Sequence, residues 1–163
     1  MTPQQQCKTL LQKRKSLMLS TRDSNGLIET SVTPFVYLEG VFYIYVSELA
    51  KHTQNCLWQI EHNQPQVSAL ITADEAETEQ MFARERITLQ LKLAKVMRNQ
   101  NGYNTVLKQF AEEFGDIIEL LSGLSDFHLF ALTPISGGYV RGFGQAFAFE
   151  NSPCLQLQPI NKR

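Results

Sequence analysis

Within the segment of residues 86–96, the strict alternation of apolar and polar residues up to Leu93 constrains the fold more than any other feature of this sequence. Isoleucine or leucine occupies every second position, at Ile87, Leu89, Leu91 and Leu93, and polar residues lie between them. Because successive side chains of a β-strand point to opposite faces, this period of two predicts a strand with one buried face. Such a strand needs hydrogen-bonded neighbours, so the chain must contain a sheet.

Apolar, aromatic and β-branched runs separated by turn residues predict the neighbouring strands. They lie at residues 16–22, 27–37, 41–46, 66–72, 126–132 and 138–149. Turns at Gly26 and Gly40 join the first three strands into an antiparallel meander, since glycine adopts the backbone conformations that tight turns require.

Helical periodicity appears in three other places. An amphipathic helix is predicted over 3–15 and a second over 47–62, and residues 103–121 predict one helix, or two that are broken near Gly115. Helices that are spread irregularly among six or seven mostly antiparallel strands indicate an α+β fold, with the sheet rolled into a small barrel. We expect one domain over 1–150 and a loose C-terminal tail over 151–163, which is polar and contains proline.

Charge and composition exclude several functional classes. The 163 residues include 15 basic and 16 acidic side chains, a formal net charge of −1, which gives no global field to attract nucleic-acid phosphates. We expect no membrane association and a cytoplasmic location, because no apolar run approaches the length of a bilayer span or follows the start in the manner of a signal peptide. The three cysteines are widely spaced, which predicts reduced thiols.

One polar segment directly follows the strand predicted at 41–46. Residues 47–55 place Ser47, Lys51, His52 and Thr53 at the start of a predicted helix. Free backbone N–H groups and a partial positive charge at a helix N-terminus suit an anion. An ordinary N-cap with a solvated first turn accounts for the same residues equally well.

Other residues that could bind a ligand or take part in a reaction are isolated in the sequence. Arg84 and Arg86 precede the alternating strand and suit a carboxylate or phosphate, or an ion pair with Glu79 or Glu85. The lone His128 lies on a predicted strand. The common fingerprints of nucleotide-binding, metalloprotease and serine-hydrolase sites are absent, so no catalytic residue is assigned.

Taken in order, these segments resemble the bacterial haem-utilisation proteins built on the pyridoxamine 5'-phosphate oxidase-like, FMN-binding split barrel. The resemblance extends over residues 10–149. Its short matches are Leu19-Ser20-Thr21 with Gly26, Ser31-Val32-Thr33-Pro34-Phe35, the segment 47–55, Pro65-Gln66-Val67-Ser68, Phe82-Ala83-Arg84-Glu85-Arg86, Phe114-Gly115-Asp116-Ile117-Ile118, Asp126-Phe127 and Gly142-Phe143-Gly144-Gln145-Ala146.

The resemblance implies a homodimer with haem or FMN bound in clefts between its subunits. For FMN, it implies that the phosphate is held by Ser47, Lys51 and Thr53. For haem, it implies that His52, Arg86 and Asp126 lie around the group or support its ligand.

The resemblance also implies a choice of functions. Haem-degrading relatives carry an iron-coordinating histidine in a tail after the last strand, whereas residues 151–163 contain none. This leaves His52 or His128 as the metal ligand, with Cys154 as a thiolate alternative. We therefore expect a haem oxygenase-like protein or a non-catalytic haem carrier or store, with an FMN-dependent oxidoreductase as the alternative.

Overall fold

The computed structural model describes residues 1–161 and contains, within them, four α-helices and nine β-strands. Their bounds are α1 Pro3–Lys13, β1 Ser16–Arg22, β2 Ile28–Pro34, β3 Val36–Leu38, β4 Val41–Ser47, α2 Lys51–Glu61, β5 Gln66–Thr72, β6 Arg86–Val96, α3 Tyr103–Phe114, α4 Ile117–Ser122, β7 Phe127–Gly142, β8 Gln145–Glu150 and β9 Gln158–Pro159. Two short 3₁₀ turns, Glu75–Glu77 and Met81–Ala83, lie between β5 and β6.

All nine strands belong to one antiparallel sheet. The hydrogen-bonded order is β2-β1-β5-β6-β7-β4-β3, and β8 and β9 extend from β7. The long strand β7 pairs with β6 on one side, while on its other side β4 pairs with residues 127–132 and β8 with residues 136–142. The sheet therefore divides along β7, and its pairing does not close into a ring within residues 1–161.

Two apolar cores cover opposite faces of β4. Phe42 and Ile44 belong to the main core inside the curved sheet, which α1 and α2 also line. Tyr45 belongs to a second core, in which α3 and α4 pack on the other face through residues such as Phe110 and Ile118. Because both faces of β4 are covered, its sequence is almost continuously apolar and does not alternate.

The α+β prediction with a mostly antiparallel sheet is confirmed, and the bounds predicted for β1, β5 and β6 are those observed. The sheet has more strands than the six or seven predicted. The run predicted as one strand over 27–37 is divided at Phe35 into β2 and β3. The predicted break near Gly115 is present, because Gly115 has a φ of 86° that ends α3.

The prediction of two strands at 126–132 and 138–149 is wrong, since residues 127–142 form one strand and the turn comes only at residues 143–144. Pro134 favours a break at this point because it has no N–H to donate. The strand continues because Pro134 lies at a bulge, where the register with β6 shifts between Gln90 and Leu91.

Residues 151–161 are not a loose tail. Cys154 and Leu157 are buried in the main core, and β9 pairs with β8. These two buried side chains, separated by the exposed Leu155 and Gln156, give a signal too short for periodicity to detect. The last two residues of the predicted tail lie outside the described residues, and the domain boundary at 150 stays a prediction. Within residues 1–161, no helix is long and apolar enough to cross a membrane.

Candidate functional site

The turn between β4 and α2 meets the start of β7, and we call residues 47–53 and 126–128 the corner. Ser47 Oγ donates to Asp126 Oδ2 at 2.6 Å, and it accepts from the backbone N–H of Leu49 at 3.2 Å. The Glu48 N–H donates to the Asp126 carbonyl at 2.9 Å. Hydrogen bonds through side chain and main chain thus fix the Asp126 carboxylate at the end of β4.

His128 belongs to the same corner. It lies opposite Val46 on β4, and its Nε2 is 2.5 Å from Glu48 Oε1. The His128 side chain is largely buried, at 12% exposure, while Glu48 is half exposed. This contact occupies Nε2, which leaves Nδ1 as the nitrogen with which His128 could contact a ligand.

His52 lies in the first turn of α2 and reaches strand β2. Its Nδ1 is 2.7 Å from Ser31 Oγ, and its Nε2 makes no hydrogen bond within residues 1–161. Burial lowers the pKa of His52, against a smaller raising effect of Glu29. His52 is therefore neutral near pH 7, with one nitrogen oriented and the other open, as in histidines that bind metal.

The remaining two predicted residues of α2 differ in accessibility. Lys51 is exposed at the first position of the helix, whereas Thr53 is fully buried, and its Oγ1 has no hydrogen-bond partner among the described residues. Ala50 occupies the N-cap position without a side-chain hydrogen bond, so the N-cap that the sequence suggested is not formed by a side chain. Only Lys51 of this pair is presented to solvent.

Arg86 lies at the opposite end of β6 from the strands β4 and β7 of the corner. It pairs with Val140 at the start of β6, whereas Val96, at the end of β6, pairs with Leu129 beside the corner. Ten residues at about 3.3 Å each correspond to about 33 Å along the strand. Arg86 donates to the Arg84 carbonyl at 2.8 Å.

The ion pairs suggested for the two arginines are not those observed. Arg84 pairs with Glu75 at 3.4 Å, and Glu85 accepts a hydrogen bond from Tyr139 Oη at 2.7 Å. Glu75 was not recognised as the partner because the 3₁₀ turn that brings it to Arg84 has no periodicity that sequence analysis could detect.

Cys154 is not placed to coordinate iron at the corner in this structure. It is buried, and its Sγ lies 3.4 Å from Cys7 Sγ. Within residues 1–161, no group of three or more His, Cys, Asp or Glu side chains could hold a metal ion.

A cavity of about 460 Å³ adjoins the corner. His128 and Phe127 from the corner contribute to its wall. Lys95 and Arg98 supply positive charge, and Tyr103 adds an aromatic surface. The cavity thus combines an apolar wall with cationic side chains beside the two hydrogen-bonded pairs of the corner.

Sequence reasoning missed Ser31 and Glu48 as members of the site. Both lie in segments that carry the family resemblance, which was the available signal. Their contacts to His52 and His128 depend on pairing across 21 and 80 residues, which no local pattern reveals.

The fold and the corner define a class: a split-barrel domain of the pyridoxamine 5'-phosphate oxidase-like type with a histidine- and carboxylate-bearing corner. A candidate pyridoxamine 5'-phosphate oxidase of Listeria innocua shares this fold, with a TM-score of 0.61 at 8% identity over 86% of this chain and all of that one. ChuZ of Campylobacter jejuni also shares it, with a TM-score of 0.83 at 24% identity over 96% of this chain and 61% of that one.

Sequence comparison then gives the particular family. The heme oxygenase HutZ of Vibrio cholerae is 41% identical over 140 residues, which cover 86% of this chain and 77% of that protein. The solved structure of HutZ, described as a heme storage protein, has a TM-score of 0.75 at 36% identity over 82% of this chain and 91% of that one. No protein-family model matches the sequence. The chain belongs to the haem-utilisation family of HutZ, as the resemblance predicted.

Proposed function

We propose that this protein is a cytoplasmic homodimer that binds haem, with the corner forming part of each binding site. The observation that carries the proposal is the 41% identity with the heme oxygenase HutZ over 140 residues. At this identity the fold is shared, and the function of the relative is the first hypothesis to test at the corresponding site.

The chemistry of His52 fits a haem ligand. Haem iron takes an axial nitrogen from a neutral imidazole, and an oriented second nitrogen strengthens such a ligand. Ser31 Oγ holds Nδ1 of His52 at 2.7 Å, and burial favours the neutral ring. His128 is the alternative ligand, through the nitrogen that Glu48 does not occupy.

The other corner residues hold neighbouring side chains in place and supply a positive charge for an anionic ligand. Asp126 fixes Ser47, and Glu48 holds the ring of His128, so the corner keeps one arrangement before a ligand arrives. The exposed ammonium of Lys51 suits a propionate or another anionic substituent. Bound haem would supply an iron centre at which O₂ can be activated.

The homodimer is supported by an exposed apolar face of the sheet. The outer face of β2, β1, β5 and β6 offers a surface for the second copy. Ile28 and Val32 on this face are 69% and 65% exposed, which is a large apolar exposure for one strand.

The FMN alternative places a phosphate on Ser47, Lys51 and Thr53. Ser47 instead donates to the Asp126 carboxylate, which would repel a phosphate at hydrogen-bonding distance. Thr53 is fully buried and does not face solvent. These two observations favour haem over FMN, and an FMN affinity unchanged in Lys51→Glu would remove the FMN proposal altogether.

The test is a titration of the purified protein with haem and, separately, with FMN, followed by the Soret band and by quenching of flavin fluorescence. We expect a saturable Soret band and no flavin quenching, with the band shifted in His52→Ala. His62→Ala is the matched control, because His62 stacks on Trp58 at the other end of α2. Unchanged Soret spectra in both His52→Ala and His128→Ala would reject these two ligands, and no haem binding would reject the proposal.

Two further measurements test the homodimer and distinguish haem degradation from haem transport or storage. Sedimentation equilibrium should give twice the monomer mass of 18.6 kDa. Loss of the Soret band in the presence of O₂ and a reductant would indicate haem degradation, whereas a stable spectrum under the same conditions would indicate a carrier or store.

A further inference from the structure

The two ends of the described chain meet through a pair of cysteines. Cys7 lies in α1 and Cys154 in the segment between β8 and β9, 147 residues later, yet their sulfur atoms are only 3.4 Å apart. Cys7 is fully buried and Cys154 is 4% exposed. The third cysteine, Cys56, lies in α2 and is also buried.

The thiols are aligned as well as close. Cys154 Sγ donates to Cys7 Sγ, and Cys7 Sγ donates in turn to the carbonyl of Pro153 at 3.0 Å. The second contact ties Cys7 to the residue that precedes its partner, so α1 and the segment around Cys154 approach each other through main chain and side chain. A bond of about 2.05 Å between the sulfurs needs an approach of only about 1.4 Å, within the reach of side-chain rotation.

The two thiols differ in acidity. The hydrogen bond with Cys7 lowers the pKa of Cys154, with a further lowering by the positive charge of Lys8. The hydrogen bond with Cys154, together with burial, raises the pKa of Cys7. Cys154 is also the more exposed of the two, at 4% against 0%, so a small oxidant reaches its sulfur first.

We propose that Cys7 and Cys154 form a reversible disulfide when the protein meets a peroxide. The Cys154 thiolate attacks one oxygen of H₂O₂, the O–O bond breaks, and with one proton a sulfenic acid and a water molecule result. The Cys7 sulfur then attacks the Cys154 sulfur, the S–O bond breaks, and the hydroxyl leaves with the Cys7 proton as a second water molecule. In sum, two thiols and one H₂O₂ give one disulfide and two water molecules.

The bond would fasten the segment of residues 151–157 to α1. In the reduced protein, this segment is held by the burial of Cys154 and Leu157 and by the two-residue pairing of β9 with β8. A disulfide between Cys7 and Cys154 joins residues that are 147 positions apart, and closing so long a loop strongly restricts the unfolded chain. Oxidation would therefore raise thermal stability and keep the segment on α1, independently of any haem or FMN bound at the corner.

The direct test is peptide mapping after treatment with H₂O₂. The full-length protein is oxidised, blocked with iodoacetamide in denaturant and digested with trypsin without reductant. Cleavage after Lys8, Lys51, Arg84 and Arg141 places Cys7 in peptide 1–8, Cys56 in 52–84 and Cys154 in 142–162. We expect one linked species of 1–8 with 142–162, lighter by two hydrogens than the sum of the peptides, which disappears on addition of dithiothreitol.

The control variants use the third cysteine. Cys56→Ala should still give the linked peptides, and Cys154→Ala should not. The melting temperature provides a second readout: for wild type and Cys56→Ala it should rise by about 10 °C on oxidation, and for Cys7→Ala and Cys154→Ala it should not change. The proposal is overturned if peptides 1–8 and 142–162 of the folded wild type stay separately alkylated after peroxide, or if Cys56 is the residue found in the link.

Discussion

A methyl group added at Gly137 should destabilise this fold strongly. A Cβ at this position would lie 2.0 Å from the backbone oxygen of Thr88 and 2.5 Å from Cζ of Phe149. Gly137 is paired with Leu89 on β6 and with Phe149 on β8, so it lies between two strands that cannot both move away. The Phe149 ring packs over the bare glycine backbone, which explains why this strand tolerates a glycine in its interior.

These distances allow an estimate of the unfolding free energy that Gly137→Ala would lose. Ordinary carbon–oxygen contact begins beyond about 3 Å, so the Thr88 carbonyl would have to move by more than about 1 Å. Overpacking of this kind costs typically 1–3 kcal/mol and more where the backbone must shift, so we expect Gly137→Ala to lose about 3 kcal/mol of unfolding free energy. In a chain of this size the melting temperature would fall by about 9 °C.

The neighbouring glycine provides the control. A Cβ at Gly138 would meet Thr88 Oγ1 at 3.3 Å and the Phe147 carbonyl at 3.4 Å, which small movements can relieve. Alanine also reduces the entropy of the unfolded chain, so Gly138→Ala should stay within about 1 kcal/mol of wild type. Urea unfolding followed by circular dichroism measures both variants. If Gly137→Ala is as stable as Gly138→Ala, the steric reasoning is wrong.

Three more predictions concern charge, packing and the corner. The pKa of His52 is lowered in the folded protein, so its contribution to stability is complete above about pH 6.5 and is lost as pH falls through the folded pKa. Between pH 7 and pH 5, the urea midpoint of His52→Gln should therefore fall less than that of wild type. Phe110→Ala should cost about 3–5 kcal/mol by urea unfolding because the ring is 2% exposed, while Phe143→Ala, at a ring 67% exposed, should change stability by less than about 0.5 kcal/mol. Ser47→Ala should cost about 1–3 kcal/mol, since Asp126 loses its hydrogen-bond donor, and no loss in thermal melts would show that water replaces the hydroxyl.

The strands with one buried face were predictable from sequence because their signal is local. The alternation from Ile87 to Leu93 identifies β6, and the burial observed along this part of the strand has the same period, whereas Val96 is buried out of phase in the second core. The helix break at Gly115 was equally predictable, because glycine supplies the positive φ that the chain adopts there.

The candidate site was predictable only in part. The segment 47–55 was identified from its polar residues at a predicted helix start and Asp126 through family resemblance, and the structure brings Ser47 and Asp126 to 2.6 Å. The start of α2 at Lys51, not at residue 47, followed from contacts across the chain, because the Glu48 N–H is bonded to the Asp126 carbonyl before the helix begins. Arg86 was assigned to the same site through the resemblance alone, and it lies at the opposite end of β6 from the strands β4 and β7 of the corner.

The sequence by itself determined the class of fold and the positions of its main strands, since period-two alternation and turn residues act over a few neighbouring positions. Only the tertiary structure decided that β7 runs on through Pro134, that His128 meets Glu48, and that Cys7 meets Cys154. Each of these depends on segments far apart in the chain, and their meeting is fixed by the packing of the whole sheet and not by local conformational preference.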